Sequence, residues 1–118
     1  MENLTLVCLS DTHSKFVEVP QGDILIHCGD FSNWGFESEV REFINWIKGQ
    51  PHKHKIVIPG NHDVCLDLEK YPTLKNKFHR YHNFDEKKLF SDLKECCHLL
   101  INESVTVEGY KFWGSPYS

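Results

Sequence analysis

Three apolar runs in this sequence each break into a short cluster of side chains able to bind a metal or move a proton. Residues 4–10, LTLVCLS, lead to Asp11, Thr12 and His13. Residues 23–29, DILIHCG, lead to Asp30. Residues 55–60, KIVIPG, lead to Asn61, His62 and Asp63. Carboxylate, imidazole and amide oxygen together suit borderline or fairly hard divalent ions such as Mn, Fe or Zn, and disfavour a soft thiolate site. Asp11 and His13 stand two residues apart, so an extended backbone projects both side chains to one side. Asp30 has two carboxylate oxygens, enough to bridge two ions. Ions about 3.5–4 Å apart clamp an in-line displacement at phosphorus and lower the pKa of a bound water. His62, beside the ligand Asn61, is placed to protonate a leaving oxygen or neutralise charge on it. Gly29 and Gly60 precede ligands and permit tight turns.

Taken singly, each residue has an ordinary role. Asp11 and Asp30 cap turns or loops, Asn61 is a turn residue, and a lone His13 is a surface histidine. The repetition at three run ends is what points to a metal or phosphate site. Of the other histidines, His27 lies inside an apolar run and reads as a core residue. His52, His54, His79 and His82 read as surface, and His98 is undetermined.

The elements that would position these clusters follow from periodicity. Leu4 to Leu9, Asp23 to Cys28 and Lys55 to Ile58 are nearly continuous in apolar and β-branched residues, the pattern of strands buried on both faces. Residues 31–37 read as a loop, and Ser38 as the N-cap of a helix. Val40, Phe43, Ile44 and Ile47 form one apolar face of that helix, and Gly49 and Pro51 stop it. VCLDLEK, residues 64–70, reads as a short helix ended near Pro72, and 73–84 as irregular. Residues 85–97 resume helical spacing through Leu89, Phe90, Leu93, Cys96 and Cys97. SVTVEGYKFWG, 104–114, alternates around Glu108-Gly109, a hairpin. Strands alternating with helices predict an α/β fold with a largely parallel sheet. In such a sheet the carboxyl ends lie along one edge, where ligands bind, so all three clusters converge.

Bulk properties bound the reading. The 118 residues suffice for one domain. With 40% hydrophobic and 25% charged residues, the composition is that of a soluble globular protein. A net charge of -4 and scattered lysines and arginines give no nucleic-acid signal. The five cysteines show no zinc-ribbon spacing. Cys8 and Cys28 read as reduced core residues, which implies a reducing, cytoplasmic setting. No run approaches the ~20 apolar residues of a membrane span, and the N-terminus is not a signal peptide.

Asp11-Thr12-His13, Gly29-Asp30 and Gly60-Asn61-His62-Asp63, in this order, resemble the D-x-H, G-D and G-N-H-[DE] motifs of the calcineurin-like metallophosphoesterase superfamily. The wording of GDILIHCGDFSNWG, KIVIPGNHD and SVTVEGYKFWGSPYS is similar to its small MPPED-type branch. The resemblance implies the N-terminal half of an α/β/β/α sandwich, so residues 1–118 are expected to be a domain truncated on its C-terminal side. It implies that Asp11 and His13 hold one metal, Asp30 bridges, Asn61 binds a second, and His62 is the general acid. It also implies that Asp63 orients His62. Where protein phosphatases of this superfamily carry an Asp and a phosphate-binding Arg, this chain has Asn33 and Trp34, which favours a small phosphodiester or nucleotide substrate. The later histidine motifs, ending in a G-H-x-H-like segment, are absent from these residues. The expected activity is metal-dependent phosphoester hydrolysis, with the missing donors supplied by water, by a second chain in a homodimer or by a C-terminal continuation. The alternative is a non-catalytic member that binds a metal or a protein partner. A Rossmann-like nucleotide domain is weaker, because no G-x-G-x-x-G follows the first strand.

Overall fold

A computed structural model of the chain describes residues 3–79 and 83–116. The elements are β1 (Leu6–Leu9), β2 (Ile24–His27), α1 (Glu37–Lys48), β3 (His54–Val57), a 3-10 turn (Val64–Leu66), α2 (Tyr71–Phe78), α3 (Glu86–Cys96), β4 (His98–Leu99), β5 (Glu103–Val107) and β6 (Tyr110–Gly114). Strands β1 to β4 form one sheet in sequence order, and every pairing in it is parallel. Strands β5 and β6 form an antiparallel hairpin. This is the expected α/β fold, a parallel sheet flanked by helices.

Alternation along the strands sorts the core into two layers. Leu25, Val57 and Leu99 face one way, under Val40, Phe43, Ile44 and Ile47 of α1 and Leu89 and Leu93 of α3. Ile24, Ile26 and Ile56 face the other way, against Leu100 and Val107. The register explains this, since Ile24, Ile26 and Ile56 share the parity that Leu25 and Val57 lack. Arg41 of α1 reaches Asp92 of α3 at 2.5 Å and ties the two helices together.

Several local readings are corrected. Helix α1 starts at Glu37 with Phe36 as its N-cap, so Ser38 lies inside the first turn. Glu39 replaces a serine cap, its carboxylate accepting from the backbone N–H of Phe36 at 3.2 Å. Pro72 opens a helix rather than ending one: α2 occupies much of the stretch expected to be irregular. Proline suits that position because the first N–H groups of a helix need no internal partner. The two-residue strand β4 is too short to leave a periodic signal. Cys8 and Cys28 are exposed rather than core, because they lie at a margin of the sheet that the described residues leave open, where Leu6 is 47% exposed.

The histidines sort differently from expectation. His27 is buried as expected, but so are His79 and His52. His79 Nε2 donates to the Trp34 carbonyl at 2.7 Å and Nδ1 accepts from the Tyr71 hydroxyl at 2.6 Å, which satisfies both nitrogens inside the protein. His52 Nε2 lies 2.9 Å from the Pro20 carbonyl. His54 is half-buried against Glu108 at 3.0 Å. His98 is exposed, and His82 lies outside the described residues. No described helix is long and apolar enough to cross a membrane.

Candidate functional site

The loops after β1, β2 and β3 meet at the carboxyl edge of the sheet. Backbone bonds join the first two: Asp11 N–H donates to the Gly29 carbonyl at 2.9 Å, His13 to Asp30 at 3.0 Å, and Ser14 to Phe31 at 2.7 Å. The second and third approach so closely that only glycine fits between them. A Cβ on Gly60 would lie 2.1 Å from Asp30 Oδ1, and one on Gly29 would lie 2.8 Å from the Gly60 Cα.

Asp63 locks this approach. Its Oδ2 accepts from the N–H groups of Asp30 at 2.8 Å and Gly60 at 2.9 Å. Its Oδ1 accepts from Ser32 N–H at 3.0 Å and Ser32 Oγ at 2.5 Å. Burial raises the Asp63 carboxyl above its ordinary pKa, against the four donors that favour its charged form. The expectation that Asp63 orients His62 is therefore corrected: its lone pairs are spent on backbone N–H groups of the second and third loops and on the Ser32 hydroxyl. His62 is held instead by its own Nδ1, 2.8 Å from the Asn33 carbonyl. The backbone N–H of His62 donates to Asp30 Oδ1 at 2.9 Å.

Glu39 performs the same service for the loop that follows Asp30. It accepts from the N–H groups of Asn33 at 2.6 Å and Trp34 at 3.0 Å, and from Ser14 Oγ at 2.6 Å. Neither Asp63 nor Glu39 was identifiable as a loop anchor from spacing. The one available signal was an acidic residue three positions into a helix that follows a glycine-containing loop.

Within this frame the side chains of Asp11, His13 and Asp30 bring one ligand atom each to within 4.8 Å of one another. They are the only such group of three among the described residues. All three have left-handed backbone, with φ of 56°, 46° and 58°. That conformation is uncommon outside glycine, and clusters of it mark functional loops. His13 Nδ1 lies 3.0 Å from the Ser32 carbonyl, which places the proton on Nδ1 and leaves Nε2 as the donor atom, 3.9 Å from Asp11 Oδ1. A metal-binding imidazole is oriented in this way. The Ser10 hydroxyl is the main influence that holds the Asp11 carboxyl below its ordinary range.

Asn61 and His62 complete the cluster from the third loop. One end of the Asn61 amide lies 3.1 and 3.2 Å from the two Asp30 oxygens. As NH2 it donates to the carboxylate; as oxygen it requires a cation between the two groups. The His13 and His62 rings meet edge to face, 5.1 Å between centroids. Two carboxylates and an imidazole presenting Nε2, with an amide alongside, form a donor set suited to a divalent cation. His27 stands behind the site with Nε2 2.9 Å from Thr12 Oγ1. Burial pushes its pKa down to about 4, so it is a neutral support for the loop.

Residues 4–115 match the family model for calcineurin-like phosphoesterases. The chain belongs to this family. It is 40% identical over 120 residues to metallophosphoesterase domain-containing protein 1 of Homo sapiens, covering 94% of this chain and 36% of that protein. A UPF0046 protein of Caenorhabditis elegans is 37% identical over 94% of the chain and 40% of its own length. A protein of Emericella nidulans named probable rhamnogalacturonate lyase C is 36% identical over 96% of the chain and 10% of its own length. The chain thus spans little more than a third of the human relative it matches. At family level the phosphoesterase chemistry depends on divalent metal, and the donor set described above suits such an ion.

Proposed function

We propose that these residues contribute to hydrolysis of a phosphoester, specifically a phosphodiester or nucleotide, at a centre of two divalent ions. The observation that carries this reading is the convergence of Asp11, His13 and Asp30 ligand atoms within 4.8 Å. Bound ions of this kind polarise phosphoryl oxygens and make hydroxide available near neutral pH. Asp11 and His13 would hold one ion, Asp30 would serve both, and the amide oxygen of Asn61 would serve the second. Mn, Fe and Zn all suit this set. His62, held through Nδ1 on the Asn33 carbonyl, presents Nε2 to protonate the leaving oxygen. Asn33 and Trp34, in place of an Asp and an Arg, favour a small substrate over a phosphoprotein. On this reading residues 1–118 are the N-terminal part of a larger cytoplasmic domain. Further donors come from a continuation of the chain or from a second copy in a homodimer.

A non-catalytic role is the second reading, favoured by apolar surface on the less covered side, where Trp113 is 65% exposed. Hydrolysis of bis(p-nitrophenyl) phosphate with added Mn²⁺, beside Asp30→Ala, separates the two. Turnover in the parent chain that disappears in the variant is expected. An equal rate in both would sink the assigned site. Mn²⁺ binding that needs Asp30, without turnover, would favour the second reading.

A further inference from the structure

Helix α3 ends in two adjacent cysteines, Cys96 and Cys97, at the edge of the sheet opposite the loops of Asp11, Asp30 and Asn61. Their sulfurs converge on one acceptor: Cys96 Sγ is 3.1 Å and Cys97 Sγ 3.3 Å from the Leu93 carbonyl. Both side chains are half-buried, packed at the margin of the helical core layer and open on one side. The neighbouring Cys97 thiol is the main cause that holds the Cys96 thiol down to about 7, and Lys48 and Lys55 act in the same direction. The proximity of Cys96, with burial, raises Cys97 and keeps it protonated. Cys65, by contrast, is buried and pushed up to about 12. One thiolate-prone sulfur beside a protonated one is the reactive arrangement for a thiol pair.

The surroundings narrow what this pair can hold. A structural zinc site takes four nitrogen or sulfur ligands, and no third donor converges on the cysteines among the described residues. Lys48 and Lys55 oppose a dication. A disulfide would draw the sulfurs to about 2.05 Å, and between adjacent residues it closes a small, strained ring. A neutral, three-coordinate thiophilic centre avoids each objection, because it bridges two sulfurs without bonding them to each other.

We propose that Cys96 and Cys97 form a vicinal-dithiol site for neutral trivalent arsenicals. With an organoarsenic(III) oxide, two As–S bonds form and the As–O double bond breaks. Both thiol protons leave with that oxygen as one water, and no atom changes oxidation state.

The test is phenylarsine oxide added to the whole reduced chain, read by intact mass and by counting free thiols. One adduct that consumes two of the five cysteine thiols is expected. It should map to the peptide containing residues 96–97 and vanish in both Cys96→Ser and Cys97→Ser. It should persist in Cys8→Ser and Cys28→Ser, which remove the two exposed cysteines on the sheet. In the parent chain the adduct should resist excess 2-mercaptoethanol and be stripped by 2,3-dimercaptopropanol. No adduct, an adduct that mercaptoethanol removes, or one lost in Cys28→Ser would overturn the assignment.

Discussion

The two faces of the four-stranded sheet are covered to different degrees. One lies under α1 and α3, where Phe31 and Phe43 stack with ring centroids 4.0 Å apart. The other lies, among the described residues, under Leu100 and the β5–β6 hairpin, which reach Ile24, Ile26 and Ile56 but leave Leu6 and Cys8 of β1 exposed. The candidate site sits at the edge between them, yet its anchors belong to the helical side: Glu39 projects from α1, and Ser32 follows the core residue Phe31. Loop geometry at the site is therefore set by the better-packed layer.

That contrast can be broken or sharpened by substitution. Phe43→Ala removes a fully buried ring from the covered layer and should cost about 3–5 kcal/mol in urea unfolding; a loss near zero would mean the layer does not carry the fold. Asp63→Ala leaves three backbone N–H groups without their carboxylate and should cost about 2–3 kcal/mol, with a matching loss of divalent-metal affinity by titration calorimetry. Unchanged affinity in that variant would show that the loops need no lock.

The third test uses pH. His27 has a folded pKa of about 4, below its ordinary 6.5. The unfolded chain therefore takes up the proton first as pH falls. The stabilisation is complete above about 6.5 and is lost as pH drops through about 4. The expected loss by pH 4 is about 3 kcal/mol. A His27→Gln variant should show a shallower fall in Tm over that range, and an identical fall would reject the assignment. The smallest effect is expected on the less covered face. Trp113→Ser should change stability by about 0.5 kcal/mol or less, and a larger loss would mean that the ring is covered in solution.

How much of this was legible in the sequence depended on whether a signal was local. The strands around Ile24 and Ile56 and the helix through Val40, Phe43, Ile44 and Ile47 were readable because apolar periodicity is a property of neighbours. The burial of β1 was misread because LTLVCL reports its composition but not what packs on it. Asp11, His13, Asp30 and Asn61 were readable as a group because each follows an apolar run, and a parallel sheet aligns such ends. The role of Asp63 was not, since its four donors come from residues 30, 32 and 60 and exist only once the loops have met. His79 reads as surface in the sequence because its partners, Tyr71 and the Trp34 carbonyl, are contributed by a helix and a loop that pattern alone does not join.

The left-handed backbone at Asp11, His13 and Asp30 sets stability against chemistry. For residues with a Cβ, that conformation costs roughly 1–2 kcal/mol each relative to the right-handed one. Glycine at Asp11 would relax the chain and delete a donor atom, whereas at His13 or Asp30 it would also remove a hydrogen bond between the loops. A selection for heat resistance alone would therefore drift toward glycine at position 11. Variants recovered from it should melt higher while binding divalent cations more weakly, so thermal robustness is a misleading guide to competence in this protein.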